Sequence, residues 1–246
     1  MKKKFWEMKM SADGEVGEIY IYGEITRYQW DETDVTANSF KEDLDNLGDV
    51  STINVYINSP GGSVFEGVAI HNMLKRHKAK INVYIDALAA SIASVIAMAG
   101  DTIFMPKNAM MMIHNPWTVA IGNAKELRKV ADDLDRISVS AIESYLQKAG
   151  DKLDEKTLKQ LLDEETWLTA DEAKNYGLCD VVQEPNNMAA SISDEFLQRY
   201  KNVPEQLIQR KNNILSAKEM AERKKIAEQA KANLSYYETI LGGIMK

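Results

Sequence analysis

The chain has 246 residues, of which 45% are apolar, enough to bury the core of one large domain with an appendage or of two small domains. Its net charge is −7, but residues 186–246 hold ten Lys and Arg against seven Asp and Glu, so the part before them carries −10 and argues against binding to nucleic-acid phosphates. The single cysteine, Cys179, excludes an internal disulfide and is typical of a reducing compartment. Because no apolar run approaches the ~20 residues of a membrane span and the start lacks a signal-peptide core, we expect a soluble cytoplasmic protein without nucleic-acid or membrane partners.

Apolar periodicity predicts alternating strands and helices up to about residue 182. Strands are predicted at residues 19–22, 51–59, 81–87, 101–106 and 109–116, and helices at 35–47, 64–77, 91–100, 123–149, 154–165 and 169–177. This alternation indicates an α/β domain with a mostly parallel sheet, which we assign to residues 1–185. The remainder, residues 186–246, is polar, mildly basic and interrupted by Pro204, and we predict a helical C-terminal extension.

The stretch "ALAASIASVIAMAG" is almost entirely apolar, yet it contains Ser91 and Ser94. Ser91 lies where a predicted strand meets a predicted helix, and the first N–H groups of a helix have no intrahelical partner there. Its hydroxyl could attack a carbonyl while the N–H of Ile92 holds the developing oxyanion, although an ordinary helix N-cap is the alternative. Ser94 lies one turn further along the helix, and we expect it to bond back to a backbone carbonyl.

Two further candidate site features, a Pro-Gly-Gly turn and a histidine, lie directly after predicted strands. "SPGG", residues 59–62, ends one strand with two glycines that let a ligand approach backbone N–H groups. His114 ends another strand, before Asn115 and Pro116, and would project at the carboxyl edge of the sheet, where α/β proteins bind ligands. His71, on the apolar side of a helix, fits a structural histidine better.

Taken together, these features place a serine, a histidine and backbone donors at the carboxyl ends of successive strands. A serine, a histidine and backbone N–H donors are the groups that acyl transfer through a covalent intermediate requires. The sequence has no cysteine–histidine cluster for zinc and no Gly-x-x-x-x-Gly-Lys loop for nucleotide hydrolysis, so we expect neither a metal nor a cofactor.

With these features, the chain resembles the ClpP family of serine peptidases. The matching blocks are "YINSPGGSVFEGVAIHNML", "ALAASIASVIAMAG", "MMIHNPW" and "WLTADEAKNYGLCDVV", in the family's order over residues 54–182. The resemblance implies a ClpP/crotonase-type spiral α/β fold of repeated β-β-α units, with Ser91 as nucleophile and His114 as general base. It also implies an oxyanion hole formed by the N–H groups of Gly62 and Ile92, with Gly61 close by.

The third catalytic residue is where the sequence departs from the family pattern. ClpP proteins have an aspartate two residues before the aromatic of the last block, and the equivalent position here, counted back from Trp167, is Glu165. A glutamate can orient an imidazole, but its extra methylene requires some backbone adjustment. Asp163, or no carboxylate at all, remains an alternative.

The extension also departs from ClpP, and a ClpP-like body with a helical tail looks more like a head maturation (prohead) protease of a tailed phage. The resemblance implies protein or peptide substrates and a ring-shaped homo-oligomer, with phage capsid and scaffold proteins as partners, and it leaves an ATPase unfoldase partner open. The alternatives are the proteolytic subunit of a cellular ATP-dependent Clp protease, a crotonase-like acyl-CoA enzyme, and an inactive capsid-assembly scaffold.

Overall fold

The computed structural model describes residues 4–12, 14–27, 36–186, 199–205 and 207. The chain divides into two compact units, residues 1–202 and residues 203–246, and nearly all of the described residues belong to the first. The strands of the described part are β1 (Trp6–Met10), β2 (Val16–Tyr22), β3 (Thr52–Ser59), β4 (Lys80–Ala90), β5 (Thr102–Pro106), β6 (Met110–Ile113), β7 (Thr166–Thr169) and β8 (Val181–Gln183).

These strands form one sheet in the order β1-β2-β3-β4-β5-β8, and β6 pairs with both β4 and β7. Only the β1–β2 and β6–β7 pairs are antiparallel, while the other pairs are parallel. The predicted α/β class with a mostly parallel sheet is therefore confirmed. One face of the central strands is buried because its alternate residues are apolar and β-branched, as with Ile53, Val55 and Ile57 of β3, which are fully buried.

The α-helices of the described part are α1 (Ala37–Asp45), α2 (Val64–Lys75), α3 (Ile92–Ala97), α4 (Ala124–Ala149), α5 (Glu155–Asp163) and α6 (Ala170–Asn175), and a short 3-10 helix (Gly150–Lys152) follows α4. Thr36 caps α1, and a capping box begins α6, where Thr169 and Glu172 bond reciprocally. Within the described chain, no helix is long and apolar enough to cross a membrane.

Four strands differ from the predictions. β1, β7 and β8 were not expected from the sequence, and the strand predicted at residues 109–116 ends at Ile113, after which residues 114–123 have no regular secondary structure. The helical extension falls almost wholly on residues 187–198 and 208–246, which lie outside the described residues, and the boundary at 185/186 stays a prediction.

The sheet brings three loops to one edge. β3 and β4 run parallel, with Ser59 paired to Ala89, and β4 and β6 run parallel, with Ala90 paired to Met112. The residues that follow these strands are the Pro-Gly-Gly turn after Ser59, Ser91 after β4, and His114 after β6. Parallel pairing in this register therefore gathers the candidate site residues at the carboxyl ends of neighbouring strands.

Candidate active site

Ser91 has a backbone conformation that side chains rarely adopt, with φ 55° and ψ −129°. It occupies the N-cap position of α3 but makes no capping hydrogen bond, so the ordinary N-cap alternative is wrong. Its N–H donates to the carbonyl of Met112 in β6 at 2.9 Å, which ties the turn to the neighbouring strand. Such strain, of order 1–3 kcal/mol, persists only where the surrounding structure enforces it, and it is common at functional sites.

His114 lies directly beside Ser91, with Nε2 2.8 Å from Oγ. Within the described part of the chain, this is the imidazole's one hydrogen bond. Burial lowers the pKa of His114 below its ordinary value, and the positive charge of Lys201 lowers it further, while the negative charge of Glu165 opposes both. The neutral imidazole, which can accept the proton of a hydroxyl, is therefore the favoured form near neutral pH.

His71 and Ser94 were predicted to have structural roles, and the structure confirms both predictions. Nδ1 of His71 lies 2.8 Å from the carbonyl oxygen of Val95, and the ring is buried. The hydroxyl of Ser94 bonds to the carbonyl of Ser91 at 2.6 Å, and it also lies 2.7 Å from the hydroxyl of Tyr145.

The Pro-Gly-Gly turn packs against Ser91 so closely that Gly61 has no room for a side chain. A Cβ added to Gly61, whose φ is +95°, would lie 2.7 Å from the Cβ of Ser91. The hydroxyl of Ser59 holds the turn by accepting the N–H of Gly61 at 3.1 Å. The N–H groups of Gly62 and Ile92 have no hydrogen-bond partner among the described residues, so both are available to an oxyanion.

The two candidate acids have different surroundings. Glu165 is buried, has φ 51° and interacts electrostatically with His114. Its Oε1 accepts backbone N–H groups from Lys201 at 2.6 Å and from Asn202 at 2.9 Å. Asp163 is exposed and accepts a hydrogen bond from the side-chain amide of Asn115 at 2.7 Å. Of these two carboxylates, Glu165 is the one that acts electrostatically on His114, and neither hydrogen-bonds the imidazole within the described residues.

A cleft of about 760 Å³ opens beside His114. It runs between the segment after β6 and the end of α5, and its lining residues include Trp117, Asp163 and Arg199. Within the described residues, no group of three His, Cys, Asp or Glu side chains is arranged to hold a metal ion.

Comparison with known proteins decides the family. The model of the family described as Clp protease matches residues 19–186, more than half of the chain. The chain belongs to the Clp protease family. The α/β sheet with its helices agrees with the predicted ClpP-like fold.

One relative within this family is described as an ATP-dependent Clp protease proteolytic subunit, from Pleurastrum terricola. It is 34% identical over 131 residues, which cover 52% of this chain and 65% of the relative. The match therefore spans less than two thirds of the relative's length.

Sequence reasoning missed one part of this Clp protease site, residues 199–202. These residues were assigned to the extension, yet Tyr200 packs against His114 and its hydroxyl donates to the carbonyl of Pro60. No local signal marks them, because their contacts join positions up to 140 residues apart in the chain. Glu165 was predicted only by counting back from Trp167 in the family pattern, because its positive φ after α5, where glycine is usual, is visible only in the structure.

Proposed function

We propose that this protein is a serine endopeptidase that cleaves peptide bonds through an acyl-enzyme. The observation that carries the proposal is the 2.8 Å contact between Ser91 Oγ and His114 Nε2, next to the N–H groups of Gly62 and Ile92, which have no partner among the residues that the structure describes. A hydroxyl bonded to a neutral imidazole, beside donors for an oxyanion, is the arrangement that acyl transfer requires.

The chemistry follows from these positions. His114 takes the hydroxyl proton of Ser91 as the oxygen attacks the scissile carbonyl, and the N–H groups of Gly62 and Ile92 stabilise the oxyanion. Gly61 permits the close approach of the turn. His114 then protonates the leaving amine, and water, deprotonated by the same imidazole, hydrolyses the ester. These steps need no metal or cofactor.

Glu165 is the acid that we propose for the third catalytic position. A carboxylate beside the imidazole stabilises the imidazolium that forms when Ser91 loses its proton. The burial of Glu165 and its electrostatic effect on His114 support this assignment over Asp163, which is bonded to Asn115 instead.

The substrate class that fits is an extended peptide. It would lie between the Pro-Gly-Gly turn and residues 116–123, a stretch without regular secondary structure that could add main-chain hydrogen bonds to a substrate strand. A crotonase-like acyl-CoA enzyme would not need Ser91 bonded to His114, and an inactive scaffold would need neither residue, so this contact favours the peptidase over both alternatives.

A ring-shaped homo-oligomer is the assembly that we propose. The segment after His114 and the adjoining α4 are the elements that contact other subunits in ClpP proteins. In this chain Val119 and Ile121 are 82% and 100% exposed, and burial in a subunit interface would remove this apolar surface from water. Sedimentation should therefore give a mass of several chains.

The biological setting has two candidates. The head maturation role in a tailed phage is supported by the sixty residues beyond the family match, which ends at residue 186. The cellular role is supported by the name of the relative from Pleurastrum terricola, which is a subunit of an ATP-dependent protease. Capsid and portal genes beside this gene would favour the former, and an unfoldase gene the latter.

The proposed activity is tested with a fluorophosphonate probe, which modifies activated serines. The probe should label Ser91, as identified by mass spectrometry of the digested protein. Ser91→Ala should abolish both labelling and peptide cleavage while leaving assembly intact, whereas Ser94→Ala should still be labelled. Full peptidase activity in Ser91→Ala would overturn the assignment.

A further inference from the structure

Residues 199–202 cover the candidate catalytic groups of the same chain. The side chain of Tyr200 is 93% buried, and its ring makes edge contacts with His114, at 5.6 Å between centroids, and with Trp167, at 5.8 Å. The hydroxyl of Tyr200 donates to the carbonyl of Pro60, in the turn that carries the oxyanion donors. A single aromatic side chain thus spans the space between the histidine and the Pro-Gly-Gly turn.

The phenol also reaches the serine. Burial and the negative charge of Glu165 raise the pKa of Tyr200, while a hydrogen bond between its hydroxyl and the side chain of Ser91 opposes this rise. Ser91 therefore contacts the imidazole and also interacts with the phenol.

The backbone of the same residues binds the candidate acid. Oε1 of Glu165 accepts the N–H groups of Lys201 and Asn202 at 2.6 and 2.9 Å, and the side-chain amide of Asn202 donates to the carbonyl of Glu164 at 2.7 Å. Three hydrogen bonds thus attach residues 201–202 to the chain immediately before β7.

This arrangement puts Tyr200 against groups that a substrate must reach. The scissile carbonyl of a peptide must lie about 3 Å from the oxygen of Ser91, with its own oxygen near the N–H groups of the oxyanion hole. The phenol of Tyr200 lies against Ser91 and donates to the carbonyl of Pro60, in the turn that carries one of these donors. The open cleft next to His114 is lined by Lys201 and Asn202 but not by Ser91.

We propose that residues 199–202 are an autoinhibitory segment, which occupies the substrate position at Ser91 and must leave it before a peptide binds. The proposal rests on the peptidase function argued above and adds its regulation. Tyr200 blocks the space beside the nucleophile, and the bonds from Lys201 and Asn202 to Glu165 hold the segment in place. A closed form of this kind lowers the apparent activity by the fraction of molecules that are open.

The test compares variants of the full-length chain in cleavage of a fluorogenic peptide and in labelling of Ser91 by the fluorophosphonate. Tyr200→Ala removes the blocking ring, and we expect peptide cleavage to rise about tenfold, as when a tenth of the molecules are open in the wild type. Tyr200→Phe keeps the ring but loses the bond to Pro60, so a smaller rise is expected. Circular dichroism establishes that each variant is folded.

A matched pair at Lys201 separates the backbone contact from the side chain. Lys201→Pro removes the N–H that binds Glu165 and should raise peptide cleavage, whereas Lys201→Ala keeps that N–H and should not. Both variants are assayed at pH 8, which lies above the lowered pKa of His114. Losing the charge of Lys201 then does not change the protonation of the imidazole.

The outcomes distinguish the two proposals. Faster cleavage in the Tyr200 variants and in Lys201→Pro, but not in Lys201→Ala, supports the autoinhibitory segment. If Ser91 is labelled in every variant while cleavage is unchanged or slower, the segment has a positioning role, and autoinhibition is overturned with the peptidase function intact. If Ser91 is labelled in none of them, the peptidase function falls, and the regulation falls with it.

Discussion

Ile113 pairs with Thr166 in the antiparallel β6–β7 ladder, and this one register places the candidate acid beside the candidate base. His114 follows Ile113 at the end of β6, and Glu165 precedes Thr166 at the start of β7. Two residues earlier, Asp163 is still the last residue of α5, and its carboxylate is directed to Asn115. The geometry therefore distinguishes two carboxylates that lie only two positions apart in the sequence.

Replacing Glu165 should reduce activity far more than replacing Asp163. Glu165→Gln keeps the shape of the side chain but removes the charge that stabilises the imidazolium, so kcat for peptide cleavage should fall by about 10²–10⁴-fold. Asp163→Asn removes a charge that does not contact His114, and kcat should stay within a few-fold of the wild type. Steady-state kinetics on one fluorogenic peptide measure both variants.

Two results would contradict the prediction for Glu165. A large loss of kcat in Asp163→Asn, with Glu165→Gln unaffected, would move the acid to Asp163 and would require α5 to turn its last residue toward the imidazole. Loss in neither variant would mean that Ser91 and His114 work without a carboxylate.

The pH dependence of cleavage should reflect the lowered pKa of His114. The base form is the neutral imidazole, so kcat/KM should rise with pH through this pKa, with a midpoint below the ordinary histidine value of about 6.5. Burial is the main cause, Lys201 acts in the same direction and Glu165 acts against both. The midpoint should therefore move down in Glu165→Gln and up in Lys201→Ala; shifts of the opposite sign would show that another group controls the profile.

An alanine at position 61 should disturb the site more than the fold. Gly61→Ala forces a positive φ on a residue with a Cβ, at a cost of about 1–2 kcal/mol, and places that Cβ 2.7 Å from the Cβ of Ser91. Gly48→Ala also imposes a positive φ, but nothing lies within 4 Å of its Cβ. Both variants should lose stability in urea denaturation, and only Gly61→Ala should also lose kcat, by about 10²-fold for a displacement of order 1 Å. Equal activity in the two variants would contradict the close approach.

The gathering of Ser91, His114 and the Pro-Gly-Gly turn was predictable from the sequence, because all three follow apolar strands and parallel pairing aligns strand ends. Apolar runs and the Pro-Gly-Gly stop revealed β3 and β4 without any knowledge of their partners. The same reasoning identified Ser94 as structural, since all of its neighbours are apolar and a buried hydroxyl needs an acceptor.

The choice of acid and the presence of Tyr200 were not predictable in this way. Both depend on pairings between distant parts of the chain: the β6–β7 register sets Glu165, and contacts 36 to 140 residues apart set residues 199–202. β7 has only four residues and follows a helix directly, so its periodicity is too short to read from the sequence. Tyr200 lies between Arg199 and Lys201, and the local sequence gives no sign of what its ring contacts.

Ser94 provides a test that separates stability from catalysis. Its hydroxyl lies 2.7 Å from that of Tyr145, which is buried, and burial raises the pKa of this phenol. Ser94→Ala leaves the Tyr145 hydroxyl without this partner in a place that water does not reach, so the free energy of unfolding should fall by about 1–3 kcal/mol in urea denaturation. Cleavage of peptide by the folded variant should stay within a few-fold of the wild type, because the Ser91–His114 contact remains.

The double variant Ser94→Ala with Tyr145→Phe sharpens this test. Removing both hydroxyls leaves no unpaired polar group, so the double variant should lose less stability than the sum of the two single variants. An additive loss would mean that the two hydroxyls do not depend on one another. A collapse of activity in folded Ser94→Ala would instead show that its bond to the carbonyl of Ser91 holds the strained turn in the reactive conformation.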